Sequence, residues 1–159
     1  MRKAGPRDIP RIAEILIFTK RMTYRPIFNN DIVSFNEMQV CKEAERLKRP
    51  HELDGVYVYD DGVIKGMLRR EIDGKMVHLI ELFIDPFFHK EGIGKAMLAE
   101  LLKEAKFRHC NEVDLWVVEK NIGARAFYEK LGFEWTGKRE CIVEVEPKEF
   151  YRLKYRLKF

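Results

Sequence analysis

The stretch IDPFFHKEGIGKAML at residues 84–98 constrains the fold of this chain more than any other. A strand-like apolar run stops at Asp85-Pro86, and a polar loop containing Gly92 and Gly94 then leads into a helical pattern. Glycines ahead of a helix leave backbone N–H groups accessible, and a helix N-terminus carries about half a positive charge. This order of strand, loop and helix predicts a site for an anionic group such as a phosphate.

Two nucleotide-binding motifs compete for this loop. The P-loop of nucleotide hydrolases needs a glycine at position 89 and a hydroxyl at position 96, where the sequence has His89 and Ala96. The dinucleotide fingerprint GxGxxG, started at Gly92, needs a third glycine where Met97 stands. The first motif is therefore excluded and the second weakened, while a glycine turn that binds nothing stays open as the structural alternative.

The periodicity of the rest of the chain predicts an α/β (α+β) fold in a single domain, residues 1–159. Four helices are predicted, at residues 8–22 with Asp8 as N-cap, 30–47, 92–109 and 121–131. Strands are predicted at the start of the chain and at residues 55–59, 63–72, 75–84, 113–118, 133–145 and 150–158. The dipeptides Asp61-Gly62 and Asp73-Gly74 suit hairpin turns. We therefore expect a mixed, mostly antiparallel sheet of about six to seven strands, flanked by about four helices.

Composition limits the class of protein. Hydrophobic residues make up 46% and charged residues 35%, with a net charge of +4, which is typical of a globular chain rather than a disordered one. Basic residues alternate at positions 152–158, a pattern that favours a solvated strand face over a nucleic-acid patch. No signal peptide or membrane span is expected, so the cytoplasm is the expected compartment, without nucleic-acid or membrane partners.

The three cysteines, Cys41, Cys110 and Cys141, are far apart and lie outside any CxxC pair or zinc-ligand pattern. We expect three reduced, mostly buried thiols and no metal site.

A second motif lies downstream of the glycine loop. The stretch NIGARAFYEKLGF at residues 121–133 carries Asn121, Ala124, Phe127, Tyr128 and Gly132 at a spacing that matches a family hallmark. Together with ELFIDPFFHKEGIGKAML at residues 81–98, it resembles the GNAT acetyltransferase superfamily. The order of predicted elements along the whole chain also resembles the fold of that family.

The resemblance implies an acetyl-CoA-dependent N-acetyltransferase that uses no metal. Its acceptor would be a primary amine of a small molecule or peptide, which attacks the thioester directly and passes through a tetrahedral intermediate. The alternative is a non-catalytic acyl-CoA-binding regulatory module on the same fold. The oligomeric state stays open, a homodimer included.

The same resemblance assigns a set of residues to the cofactor. They are Phe83, Ile84, His89, Lys90, Glu91, Gly92, Ile93, Gly94, Lys95 and Asn121. A backbone N–H of Phe83 or Ile84 would bind the thioester oxygen, and Asn121 would contact the cofactor or only cap its helix. His89 stands where the family usually has glutamine or arginine. It either donates to the phosphate, which makes CoA affinity pH-dependent, or points to solvent.

Besides the oxyanion donor, two steps of the reaction need residues. Tyr128 matches the tyrosine that the family uses to stabilise the leaving thiolate, with packing in the core as the alternative. The base that deprotonates the amine is left open among His78, Glu81, Glu119 and water, and strand alternation places His78 and Glu81 on opposite faces. The acceptor pocket is predicted near the last hairpin and three aromatic residues, Tyr24, Phe28 and Phe35.

Overall fold

The computed structural model describes residues 1–145 and 148–159 of the chain. Its strands are β1 (Arg2–Lys3), β2 (Val56–Asp60), β3 (Ile64–Asp73), β4 (Met76–Ile84), β5 (Glu112–Val118), β6 (Glu134–Val145) and β7 (Lys148–Lys158). Its α-helices are α1 (Ile9–Phe28), α2 (Val40–Leu47), α3 (Ile93–Phe107) and α4 (Ile122–Lys130). Within these residues, the seven strands form one sheet in the order β1-β2-β3-β4-β5-β7-β6.

Pairing in this sheet is mixed. Strand β4 runs parallel to β5, whereas β1 with β2, β2 with β3, β5 with β7 and β6 with β7 are antiparallel pairs. The predicted fold class, a mixed and mostly antiparallel sheet with flanking helices, is confirmed. Residues 146 and 147, which belong to the last hairpin predicted beside the acceptor pocket, lie outside the described residues.

Asp8 stands at the N-cap position of the first helix, as predicted, but the expected side-chain cap is wrong, because its carboxylate accepts no hydrogen bond from the first turn of that helix. Asp8 closes a 3-10 turn at Pro6–Asp8 instead, because its carboxylate accepts the backbone N–H of Gly5 at 2.8 Å. The same carboxylate binds the guanidinium of Arg2 through two hydrogen bonds of 2.8 and 2.9 Å. Helix α1 then starts at Ile9 without a side-chain cap.

The predicted end of the first helix is also wrong, since α1 continues six residues past Met22 to Phe28. Pro26 lies in the last turn, where its missing N–H removes one intrahelical hydrogen bond without ending the helix. The helix stops at Asn29, which takes a left-handed conformation with φ of 51° and donates its N–H to Arg25 O at 2.8 Å. The aromatic segment TYRPIFNN at residues 23–30, which follows the predicted end of the helix, therefore belongs mostly to α1.

The second predicted helix is split into a π-helical segment, Ile32–Glu37, and α2. Met38 adopts an extended conformation between them. Arg21 of α1 stabilises this break, because its guanidinium donates to Ser34 O at 2.8 Å and to Met38 O at 2.7 Å. A side chain from another element thus satisfies carbonyl groups that a continuous helix would have satisfied itself.

The chain divides into two compact units, of which the first comprises residues 1–70 and 81–104. Its core combines one face of α1, including Ile12, Ile15 and Leu16, with Val56 and Met67 of β2 and β3. All five of these side chains are fully buried.

Gly66 of the first unit lies where the backbone leaves no space for a side chain. A Cβ there would come within 2.6 Å of Ile84 Cδ1 and 3.2 Å of Phe83 O. Only glycine therefore lets β3 approach the end of β4 this closely.

The second unit comprises residues 71–80 and 105–159. Residues Met76 to Leu79 of β4 pair with Glu112 to Leu115 of β5, and β5 pairs with β7 along its full length. Val113, Leu115 and Val117 face the core, so Asp114 and Trp116 lie on the opposite face of β5.

The prediction of mostly buried cysteines is wrong, because only Cys110 is buried while Cys41 and Cys141 are exposed. The described residues contain no group of three or more His, Cys, Asp or Glu side chains that could hold a metal ion. Within the same residues, no helix is long and apolar enough to cross a membrane.

Candidate active site

The glycine loop is anchored by the aspartate that precedes it. Asp85 is 1% exposed, and its carboxylate accepts the N–H of Phe87 at 2.9 Å and pairs with Arg11 at 2.6 Å. Arg11 also donates to Ile64 O at 3.0 Å. The Asp-Pro step therefore ties the end of β4 to both α1 and β3.

His89 closes the turn that follows. Its Nε2 lies 2.9 Å from Ile84 O, which also accepts the hydroxyl of Thr19 at 3.1 Å. Since a carbonyl only accepts, Nε2 must carry the hydrogen. The imidazole is thus bonded to the end of the strand, an arrangement that neither of the two sequence-based alternatives described. Its predicted contribution to phosphate binding stays a prediction.

The conformation of the loop depends on left-handed residues. Lys90 has φ of 67° and Gly92 has φ of 80°, and a Cβ at Gly92 would meet no atom within 4 Å. Backbone conformation rather than space therefore calls for glycine at this position. The carboxylate of Glu91 lies 3.6 Å from Lys65, so this acidic residue of the loop is partly neutralised.

Helix α3 presents its first turn at the end of this loop. Ala96 N–H donates to Gly92 O at 3.0 Å as the first bond of the helix, so the N–H groups of residues 93–95 have no acceptor within the helix. The side chain of Ile93 is buried, so only its backbone can contact a ligand. The side chain of Lys95 is exposed. This turn has the donors and the positive dipole end that bind a phosphate.

Glu81 and Phe83 lie in the first unit beside α1. Lys20 Nζ is 3.8 Å from the carboxylate of Glu81 and 5.7 Å from the centre of the Phe83 ring. Burial, together with the charge of Glu81, raises the pKa of Tyr24.

The three aromatic residues predicted for the acceptor pocket lie in two different environments. Tyr24 and Phe28 stack edge to face at 5.9 Å, whereas Phe35 lies under the guanidinium groups of Arg21 and Arg25 at 5.2 and 5.5 Å.

The second motif forms helix α4 and its flanks in the second unit. Asn121 Oδ1 accepts Ala124 N–H at 3.1 Å, which confirms the predicted cap. Tyr128 is 8% exposed, and its ring makes edge-to-face contacts with Phe127 at 5.1 Å and Phe133 at 5.5 Å. Tyr128 is thus packed as a core aromatic, and its role toward a thiolate stays a prediction.

Glu119, one candidate base, is engaged by an arginine. Its two carboxylate oxygens accept hydrogen bonds from Arg139 at 3.0 and 2.9 Å. This pairing holds the pKa of the Glu119 carboxyl below its usual range. A carboxylate with a lowered pKa is a weak proton acceptor at neutral pH, so Glu119 is poorly suited to the role.

His78, a second candidate base, has a partner that the sequence did not reveal. Its Nδ1 lies 2.6 Å from Asp114 Oδ1, and Lys154 Nζ lies 2.7 Å from Asp114 Oδ2. Burial raises the pKa of Asp114, but hydrogen bonds from Lys154 and His78 outweigh it and hold that pKa below the usual range. The only sequence signal was a polar residue within the alternating strand VDLWVV.

A cavity of about 210 Å³ lies beside this pair, and we call it the His78 cavity. Its lining residues all belong to the second unit: His78, Leu79, Ile80, Asp114, Leu115, Trp116, Arg152 and Lys154. The basic residues that alternate along β7 lie near acids on neighbouring strands, and Arg152 pairs with Glu140 at 2.8 Å. This face of β7, predicted as a solvated strand face, therefore has its basic side chains paired with acids of neighbouring strands.

Comparison with known proteins gives the chain a family. The model of the acetyltransferase (GNAT) family matches residues 17–133. The protein YdhI of Bacillus subtilis is 38% identical over 89 residues, which cover 55% of this chain and only 54% of that protein. The spermidine N(1)-acetyltransferase of Thermoplasma acidophilum is 25% identical over 140 residues, with 84% of this chain and 87% of that protein covered.

Solved structures show the same fold. The PaiA N-acetyltransferase of Thermoplasma acidophilum, solved in complex with coenzyme A, superposes with a TM-score of 0.71 at 20% identity. The superposition covers 99% of this chain and 97% of that one. Matched by the family model over most of its length, with the glycine loop and the α4 motif in the predicted local structures, this chain belongs to the acetyltransferase (GNAT) family.

Proposed function

We propose that this protein transfers the acetyl group of acetyl-CoA to a primary amine of a small molecule or peptide. The observation that carries the proposal is the anchored glycine loop, which ends in a helix turn with free N–H donors inside a chain of this family. Relatives named as spermidine and peptidyl-lysine N-acetyltransferases support an amine acceptor.

In this proposal the loop binds the pyrophosphate of acetyl-CoA. The N–H groups of residues 92–95 donate to phosphate oxygens, and the exposed Lys90 and Lys95 add positive charge nearby. His89 acts indirectly, because its hydrogen bond to Ile84 O holds the loop against the strand that precedes it. Asn121 caps α4 and reaches the cofactor from the second motif.

The amine attacks the thioester carbonyl, and the oxygen of the tetrahedral intermediate gains a negative charge. A backbone N–H of Phe83 or Ile84, at the end of β4, donates to that oxygen. A fixed donor of this kind typically contributes a factor of about 10²–10³ in rate.

Tyr128 stabilises the thiolate of CoA as it departs. A tyrosine hydroxyl ordinarily ionises near pH 10 and a thiol near pH 8.5, so a complete proton transfer would cost about 2 kcal/mol. Tyr128 therefore acts mainly by donating a hydrogen bond, which needs no such transfer.

The test is to incubate the protein with acetyl-CoA and a panel of primary amines while free thiol is followed. We expect thiol release that depends on the amine, and Tyr128→Phe should lower kcat about tenfold or more with little change in the KM for acetyl-CoA. Tyr59→Phe, at a half-buried tyrosine of β2, is the matched control and should keep the rate of the unsubstituted protein.

Three other outcomes would be informative. An unchanged rate in Tyr128→Phe would reduce that residue to its packing role. Tight CoA binding by calorimetry without transfer to any amine would favour the regulatory acyl-CoA-binding module instead, and absence of CoA binding would remove both functions.

A further inference from the structure

A buried aspartate holds His78 of β4 from one side and leaves the other side of its ring open. We propose that His78 is the base that deprotonates the acceptor amine, that Asp114 positions it, and that the His78 cavity receives the amine. The inference rests on the proposed N-acetyltransferase function and specifies its acceptor site.

The contact between the two side chains determines the tautomer of the histidine. Asp114 is 3% exposed and its Oδ1 lies 2.6 Å from Nδ1 of His78. An ionised carboxylate only accepts, so Nδ1 carries the hydrogen and the lone pair of the neutral ring is on Nε2. Within residues 1–145 and 148–159, Nε2 has no hydrogen-bond partner, and the side chain is 30% exposed beside the cavity.

Lys154 completes the arrangement from β7. Its ammonium lies 2.7 Å from the second oxygen of Asp114, so the carboxylate is held on both sides and stays ionised. The strand register explains why the three residues meet. His78 is directly opposite Asp114 in the parallel pair of β4 and β5, and Asp114 lies between β4 and β7 in the sheet.

The walls of the cavity favour a neutral amine. The guanidinium of Arg152 lies 4.4 Å from the centre of the Trp116 ring, and the ammonium of Lys154 lies 5.6 Å from it. Arg152 also forms an ion pair with Glu140. Nearby cations disfavour the charged form of an amine that enters the cavity. They therefore assist the loss of its proton, while the negative charge of Asp114 stabilises the imidazolium that results.

The competing carboxylates are less suited to this step. Both oxygens of Glu119 are engaged by Arg139, and Glu81 lies 3.8 Å from the ammonium of Lys20. The hydrogen bonds from Arg139 hold the pKa of Glu119 below its usual range, so Glu119 gains little by taking a proton, and the carboxylate of Glu81 is occupied by Lys20. His78 differs from both because its partner is an anion.

The proposed step balances as follows. Nε2 of His78 takes one proton from the ammonium group, and the neutral amine then forms a C–N bond to the thioester carbonyl carbon. The C–S bond breaks as the tetrahedral intermediate collapses, and the nitrogen loses its second proton. One of the two protons ends on the CoA thiolate and the other passes through the imidazolium to solvent.

The test compares amines that differ in basicity. A lysine-like amine is neutral in fewer than about one molecule in a thousand at pH 7, whereas an α-amine of pKa about 8 is neutral in roughly one in ten. For the lysine-like amine, His78→Gln should lower kcat/KM about 100-fold. The loss in kcat/KM should be several-fold smaller for the α-amine. Raising the pH to 9.5 should recover the activity of His78→Gln toward the lysine-like amine.

Asp114→Asn should reproduce the same dependence on amine basicity, because the amide can turn its NH₂ toward Nδ1 and shift the hydrogen to Nε2. Circular dichroism and the KM for acetyl-CoA should stay unchanged in His78→Gln, which tests the proposal even if Asp114→Asn does not fold. The matched control is the exposed pair His51 and Asp54, whose ring and carboxylate are also in contact, at 2.9 Å. His51→Gln should leave every rate unchanged.

The outcomes separate this inference from the function on which it rests. If the unsubstituted protein acetylates amines and His78→Gln does so equally fast, or loses the same factor on both amines, the base is not His78 and the function stands. If the unsubstituted protein binds CoA and acetylates no amine, the function fails and the assigned base fails with it.

Discussion

At the scale of single residues, one carbonyl group shows how the glycine loop is held. Ile84 O accepts hydrogen bonds from both Thr19 and His89, directly before the buried Asp85. Because these bonds come from α1 and from the loop itself, the end of β4 has little freedom. The family usually has glutamine or arginine where His89 stands, and Nε2 of His89 reaches this carbonyl at 2.9 Å.

We expect His89→Ala to weaken acetyl-CoA binding about fivefold, because one hydrogen bond that orders the loop is lost, at about 1 kcal/mol. Glutamine keeps a donor of similar reach, so His89→Gln should bind nearly as well as the unsubstituted protein. Calorimetric titration with acetyl-CoA measures both. His109→Asn, at an exposed histidine, is the control and should bind acetyl-CoA normally. If His89→Gln and His89→Ala weakened acetyl-CoA binding equally, the positioning role of His89 would be contradicted.

Asp8 should make stability depend on pH in the acid range. The hydrogen bonds from Arg2 hold the pKa of Asp8 below its usual 3.8, despite partial burial. A lowered pKa in the folded state means that Asp8 stabilises the fold above pH 3.8, and that this contribution is lost as the pH falls through the folded-state value.

Urea unfolding at pH 7 should therefore show Asp8→Asn to be about 1 kcal/mol less stable than the unsubstituted protein. The difference should close as the pH falls from 4 toward 2. Asp73→Asn, at the exposed end of β3, is the matched control for the loss of one carboxylate. If the difference in free energy of unfolding between Asp8→Asn and the unsubstituted protein did not change with pH, the lowered pKa of Asp8 would be contradicted.

At the scale of elements, the unit formed by β4, the glycine loop and α3 follows from local chemistry. The strand ends where Asp85-Pro86 cannot continue it, and the helix begins at Ile93 one residue after a left-handed glycine. Helix α3 was predicted within two residues of its observed end at Phe107. Helix α1 continues past its predicted end at Met22 and includes Pro26, because a proline in a last turn removes only one hydrogen bond.

Gly94→Val should weaken acetyl-CoA binding at least tenfold, because the branched side chain covers the N–H groups of the first turn of α3. Lys103→Val, at an exposed position of the same helix, is the matched control for the low helix propensity of valine. Calorimetry of both variants separates the two effects. Unaffected binding in Gly94→Val would refute the assignment of the loop.

At the scale of the whole molecule, strand β4 is divided between the two compact units. Strand β4 contributes Met76 to Ile80 to one compact unit and Glu81 to Ile84 to the other. The proposed base, His78, and the proposed oxyanion donors, Phe83 and Ile84, are therefore on one strand but in different units. The order β4-β5-β7 then surrounds Asp114 with residues from three segments that are distant along the chain.

Acetyl-CoA should stabilise the whole protein against unfolding. At a ligand concentration 100 times its Kd, the free energy of unfolding should rise by about 2.7 kcal/mol, because the ligand binds only the folded state. Urea unfolding with and without acetyl-CoA measures this. Acetylpantetheine, which lacks the pyrophosphate, should give a smaller gain at the same concentration, and an equal gain would argue against the phosphate site.

The sequence by itself determined the element types, the hairpin turns, the glycine loop and the cap by Asn121. These features depend on periodicity, turn residues and capping side chains within a few positions of one another. Only the tertiary structure revealed the partners of His89 and the π-helical break held by Arg21. It also brought His78 and Asp114 into contact across 36 residues of sequence. Each of these contacts depends on strand register or helix packing, which no local pattern of residues encodes.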